Sequence, residues 1–154
     1  GRIDRVGVAG AVALSVAASA VLLGCHAVLH PDVSPLAAHL PALVFRHTLL
    51  AAIVFSTANA VLEELLCRWV LYDAVEAEWG GAMAVAATSV FFGLGHWNGY
   101  PPGWMGAFLA GAYGVGLALL RRWSGGLALS MACHIGADAT IFWILVSSGA
   151  LAGP

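Results

Sequence analysis

Apolar residues in this chain fall in long blocks, not in the three-and-four spacing of a soluble amphipathic helix. Five runs stand out: Val6–Leu29, Ala42 to about Leu66, Ala82–Trp97, Trp104–Leu120 and about Leu127–Val146. A crossing takes about 20 apolar helical residues. The third and fourth runs sit at the short edge of that range, as helices do when they tilt or end inside a bundle. Breakers separate the runs: Pro31, Pro35 and Pro41 in the connector His30–Pro41, then Gly80-Gly81, the turn segment Asn98–Gly103, and Ser124-Gly125-Gly126.

The second run has no clean stop, because Glu63–Trp79 continues with helix formers. A straight helix from Ala42 to Trp79 would reach about 57 Å, far past the ~30 Å hydrocarbon core. A bend is therefore expected near Arg68–Asp73. Beyond it, Trp69–Trp79 reads as an interfacial helix, with Asp73, Glu76 and Glu78 on one side and Trp69, Leu71, Tyr72, Val75 and Trp79 on the other. The expected fold is all-α: a polytopic membrane helix bundle of about five transmembrane helices plus one interfacial helix, forming a single membrane-embedded domain over residues 1–154.

Composition supports this. Hydrophobic residues make up 61% of the chain and charged ones 9%, against about 25% charged in a soluble domain. The net charge of −2, with six Arg and no Lys, leaves no basic footprint for nucleic acid and no polybasic lipid clamp. With five spans, Arg2, Arg5, Arg68, Arg121 and Arg122 share one side and only Arg46 faces the other, which makes the N-terminal side cytoplasmic. Cys25, Cys67 and Cys133 are odd in number and widely spaced, so they read as small hydrophobes. The first run is longer than the 7–15 residues of a signal-peptide core. Leu22-Leu23-Gly24-Cys25 looks like a lipoprotein cleavage box, yet cleavage there would leave a lipidated polytopic remainder, so the run is read as a span. Gly106, Ala110 and Gly114, with Gly111 beside them, form a small-residue face for close helix packing.

Against this background Glu63 and Glu64 stand out. An ionised group at the centre of a membrane helix costs about 2.5–3.5 kcal/mol on insertion scales, so an adjacent pair needs a partner, a wet cavity or a reaction. Arg68 is i+4 from Glu64 and lies on the same helix face. Glu63 is rotated by about 100° and has no such partner, leaving it free to take a proton. With Gly80-Gly81 as the turn of a helical hairpin, Glu63 and His96 fall at similar depth, while His134 counts as some 8 Å shallower. Asp138, i+4 from His134, can reach the ring and fix it. Glu63, Glu64, Arg68, His96, His134 and Asp138 thus converge from three helices.

Two chemistries fit that set. Glu63, helped by His96, can take a proton from water attacking an amide carbonyl, while His134 and Asp138 meet the developing oxyanion. Alternatively Glu63, His96 and His134 can hold a catalytic Zn²⁺ with an open water position. Spacing does not separate the two. His26, His30, His39 and His47 lie near span ends or in the proline connector. His26 and His30 have the i, i+4 spacing of metal ligands but read as solvated span-end residues. Two other classes compete: a small transporter or proton-conducting subunit, which would favour duplicated halves, and a catalytically silent immunity or scaffold protein.

The residues also resemble the CPBP intramembrane protease family, also called the Abi or CAAX prenyl protease type, with signatures EExxxR, FxxxH and HxxxN or HxxxD. Here they are Glu63-Glu64-Leu65-Leu66-Cys67-Arg68, Phe92-Gly93-Leu94-Gly95-His96 and His134-Ile135-Gly136-Ala137-Asp138, in order, each on an apolar helix. The resemblance spans about Val44 to Phe142 and implies a protease core at residues 44–142. It implies an intramembrane endopeptidase, glutamate-based or metal-dependent, of a compact prokaryotic kind in the cell membrane. Its substrate would be a membrane-associated protein or peptide: CAAX-type, a C-terminal sorting signal, or bacteriocin-related. By that resemblance Glu63 and His96 activate water, Glu64 and Arg68 support them, and His134 with Asp138 forms the oxyanion side. Cys67 stands where a Phe is usual, and Asp138 where the eukaryotic prenyl-protein enzymes carry Asn; an ionised Asp is a poor oxyanion donor.

Overall fold

A computed structural model describes residues 1–34 and 45–148. Most of the proline connector, including His39, and the start of the second run lie outside them, as do the side chains of Arg46 and His47. Among the described residues five α-helices follow one another: α1 (Arg5–Leu29), α2 (Phe45–Glu64), α3 (Tyr72–Gly95), α4 (Trp104–Ser124) and α5 (Ala128–Ser147), with a π-helical segment, Leu65–Leu71, joining α2 to α3. No strand occurs among the described residues.

The all-α membrane bundle expected from the sequence is what forms. Four helical stretches among the described residues are long and apolar enough to cross a membrane. One of them, Thr48–Gly95, is two helices joined across a kink at Gly80, and the chain doubles back there to bring His96 within 3.7 Å of Glu63. Within that stretch Gly80 alone leaves helical geometry, at φ 78° and ψ 166°. This positive φ is one that glycine adopts without strain. The expected bend near Arg68–Asp73 takes the form of the π-helical segment, which widens the helix without stopping it.

The burial pattern gives a reason for the π turns. Ser56, Ala60, Glu64, Arg68 and Tyr72 are all buried, at strict four-residue intervals. On an α-helix of 3.6 residues per turn, such a stripe drifts by about 40° per step, or ~160° from end to end. The wider i→i+5 turns of a π-helix counter that drift and keep Arg68 and Tyr72 turned inward. Tyr72 N–H reaches Cys67 O, five residues back. Arg121 on α4 donates from Nε to Arg68 O at 3.0 Å and from Nη2 to Asp73 Oδ1 at 2.9 Å.

Asp4 caps α1 by accepting Gly7 N–H at 2.8 Å, and this bond, with Arg2 nearby, holds the Asp4 carboxyl below its ordinary range. Arg2 N donates to Ser124 O, and the Arg2 guanidinium lies 5.1 Å from the Trp123 ring centroid. The N-terminus, Asp73 with Arg121, and the α4–α5 turn therefore gather at one end of the bundle. The outer face of α1 exposes Val6, Val8, Val12, Val16, Val21 and Val28. Its inner face is tied to the bundle by Ser15 Oγ–Cys133 Sγ (3.2 Å), Ser19 Oγ–Thr140 Oγ1 (2.8 Å) and His26 Nδ1–Tyr100 Oη (2.7 Å). His26 is thus half-buried and bonded, unlike the solvated span-end residue expected; His30 is exposed.

α3 and α4 make the most extensive helix contact in the bundle. At its centre a Cβ on Gly93 would lie 2.6 Å from Ala107 O and 3.0 Å from Gly111 Cα. Both neighbours are backbone, so neither can swing aside. Gly93→Ala should cost about 1–3 kcal/mol, read as a lower thermal transition of the protein in detergent. Gly95→Ala, where an added Cβ meets nothing within 4 Å, should leave that transition where it is. Equal transitions for the two variants would refute the close-packing account.

Candidate active site

The deepest part of the site is an ion pair. Arg68 Nη1 lies 3.1 Å from Glu64 Oε1, and both side chains are fully buried. The Arg68 guanidinium stacks on Phe92, with Cζ 4.1 Å from the ring centroid, and Nη2 reaches Gly114 O at 3.4 Å. A Cβ on Gly114 would stand 3.3 Å from that same Nη2. The small residue expected only to pack helices therefore also clears space for the guanidinium.

Glu64 Oε1 also lies 3.0 Å from His134 Nδ1. A carboxylate held against Arg68 only accepts, so His134 carries its proton on Nδ1 and presents a lone pair at Nε2. His96 receives the same tautomer by a separate route: its Nδ1 is 2.7 Å from the Phe92 carbonyl, which can only accept. Both Nε2 atoms then face one oxygen. Glu63 Oε2 is 3.7 Å from His96 Nε2 and 3.5 Å from His134 Nε2, and it has no hydrogen-bond partner among the described residues. Exposure divides the set: Glu63 and His96 side chains are 31% and 26% exposed, whereas His134 is 2% exposed. Glu63 Oε2 itself is buried, while His96, His134 and Asp138 border the neighbouring cavity.

Asp138 Oδ1 is 3.7 Å from His134 Nε2, too long for a direct hydrogen bond. The ring is fixed by Glu64 at its other nitrogen, not by Asp138 as its spacing suggested. Asp138 is itself held by Asn59, whose Nδ2 donates to Oδ2 at 3.1 Å. The 8 Å depth gap counted for His134 is absent, because that count took the helices as straight. The π turns and the Gly80 kink remove that assumption. All six residues singled out in the sequence come together.

Two residues carry more of the arrangement than the sequence suggested. Phe92 entered only as a motif letter, yet its ring lies 4.3 Å from His96, 5.5 Å edge-on to His134 and beneath Arg68, while its carbonyl orients His96. Asn59 was not singled out. Its signal was present, as a polar residue one turn before Glu63 on the same helix face.

A cavity of about 230 Å³ adjoins the cluster, reaching His96, His134 and Asp138 and otherwise walled by apolar side chains such as Leu14, Ala18 and Leu109. Glu63, His96 and His134 would be the ligands of a zinc ion. As placed they do not fit one: among the described residues no group of three His, Cys, Asp or Glu side chains is arranged to hold a metal.

An all-helical bundle that buries an acid–imidazole cluster beside an apolar cavity is a membrane protein with an internal polar site. Its family is shown by comparison: residues 45–140 match the family described as Type II CAAX prenyl endopeptidase Rce1-like. The chain belongs to that family, which supports a membrane endopeptidase at family level. Comparison with curated proteins and with solved structures gave no match.

Arg68→Leu should cost about 3–5 kcal/mol, because it leaves the Glu64 carboxylate buried without its counter-charge. Adding Glu64→Leu should recover part of that loss. Denaturant unfolding in detergent reads both, and an Arg68→Leu protein as stable as the parent would remove the ion pair from its structural role.

Proposed function

We propose that this chain is an intramembrane endopeptidase in which Glu63 activates a water molecule for attack on a peptide carbonyl. The observation that carries the reading is the convergence of two imidazole lone pairs on one carboxylate oxygen. Acceptors facing one another need protons between them, and a water there has two to give.

Glu63 Oε2 takes one proton as the water oxygen bonds to the carbonyl carbon, with His96 Nε2 accepting the second hydrogen bond. The carbonyl electron pair moves onto oxygen, giving an oxyanion beside His134 and Asp138. His134 Nε2, 3.5 Å from Glu63 Oε2, meets it by sharing the proton that Glu63 has taken, and returns that proton to Glu63 before the intermediate collapses. For Asp138 to donate, one of its oxygens must carry a proton. Collapse of the intermediate breaks the C–N bond, and the proton held by Glu63 goes to the departing amine, leaving a carboxylate end and an amine end. Glu64 and Arg68 keep His134 in its tautomer and touch no substrate. No step is routed through a metal.

The substrate in this reading is a membrane-associated protein or peptide, of CAAX, sorting-signal or bacteriocin-related type. The apolar cavity beside His96 and His134 supports a bulky apolar group next to the cleaved bond. The arginines gathered with the N-terminus support a cytoplasmic N-terminal side.

The purified protein in detergent, given prenylated CAAX-type, sorting-signal and bacteriocin-precursor peptides, should cleave at least one of them. Glu63→Gln should lower the rate by about 10²–10⁴-fold, and exhaustive chelation should leave it unchanged. Cleavage that survives Glu63→Gln sinks the mechanism. Activity lost to chelator and restored by Zn²⁺ replaces the water-only version with a metal-held water.

A further inference from the structure

Asn59 and Asp138 form a second rung beside the proposed active site. Asn59 lies four residues before Glu63 on α2, and Asp138 four residues after His134 on α5. Residues at that spacing stack on one face of a helix, so Asn59–Asp138 (3.1 Å) repeats Glu63–His134 (3.5 Å) one turn along the same helix–helix seam. An aspartate side chain does not choose its own orientation, because the torsion about its carboxyl group is broad and nearly two-fold. A single donor on Oδ2 breaks that symmetry. With Asn59 Nδ2 bound there, Oδ1 is the oxygen turned to His134 Nε2, at 3.7 Å, and Asp138 itself lines the cavity.

From this geometry we infer that Asn59 is a positioning residue for the proposed peptidase reaction: by occupying Asp138 Oδ2 it presents Oδ1 to His134 and to the oxyanion. The inference rests on the proposed function and names a residue outside the three sequence motifs. It also gives the Asp in the third motif a workable geometry. The amide takes the oxygen that faces α2, and the oxygen that faces the reaction is left to carry a proton or to hold the imidazolium. Asn59 does this without touching substrate, and its effect passes through Asp138 alone.

A double-mutant cycle tests it. On a peptide that the parent cleaves and Glu63→Gln does not, Asn59→Leu should lower kcat by about tenfold or more, the usual effect of losing an orienting partner, with KM held within about twofold. Asn59→Gln, which keeps an amide donor, should recover part of kcat. In an Asp138→Ala background Asn59→Leu should lower kcat no further. Thermal transitions of each variant in detergent separate these effects from loss of fold. If Asn59→Leu does not extract as a folded protein, Asn59→Ser, too short to reach Asp138, replaces it in the cycle. A parental kcat for the Asn59 variant, or losses that multiply in the Asp138→Ala background, overturns the inference and leaves the Glu63 mechanism standing. Loss of the Glu63 dependence itself would instead overturn the proposed function.

Discussion

An ionised carboxylate and a guanidinium buried together inside a membrane bundle set the terms for everything around them. Glu64 and Arg68 are sealed from solvent, and each would be costly there without the other. The buried stripe from Ser56 to Tyr72 that contains them drifts around a normal helix, and the π turns over Leu65–Leu71 counter that drift. The guanidinium also meets the Gly114 carbonyl and the face of Phe92, while Arg68 Nε and Glu64 Oε2 have no hydrogen-bond partner among the described residues. The same carboxylate oxygen then fixes His134. A local electrostatic requirement thus propagates into helix spacing and the tautomer of a ring two helices away in sequence.

Phe92 links the two imidazoles in a way that charge alone would not. Its backbone carbonyl determines which nitrogen of His96 bears the hydrogen, and its ring borders both His96 and His134. The rings therefore share an apolar partition that excludes other polar partners from between them. An FxxxH spacing makes this possible because residues four apart stack on a helix, so one residue supplies both the orienting carbonyl and the wall.

Much of the site was legible because its parts are local. Glu64–Arg68 and His134–Asp138 are both i, i+4 pairs, and a reader of the sequence can see that each shares a face. What each residue does across the bundle was less legible. His134 is fixed by Glu64, seventy residues earlier, not by the neighbour its spacing suggested, and Asn59 carries no signal beyond being polar in an apolar run. The turn at Gly80-Gly81 was legible as well, because paired glycines between apolar runs mark a break. Here one glycine turns and the helix resumes at once. The π segment was foreseen only as a bend, since hydropathy reports that a helix is too long but not how its pitch adjusts.

The first helix contributes Leu14 and Ala18 to the cavity wall but none of the acids or imidazoles, and it precedes the region that matches the family. Among the described residues three side-chain hydrogen bonds fasten it to the rest. It supplies one wall of the cavity, and His96, His134 and Asp138 belong to the others. Substitutions at Leu14 or Ala18 would reshape that wall from outside the matched region while leaving Glu63, His96 and His134 in place.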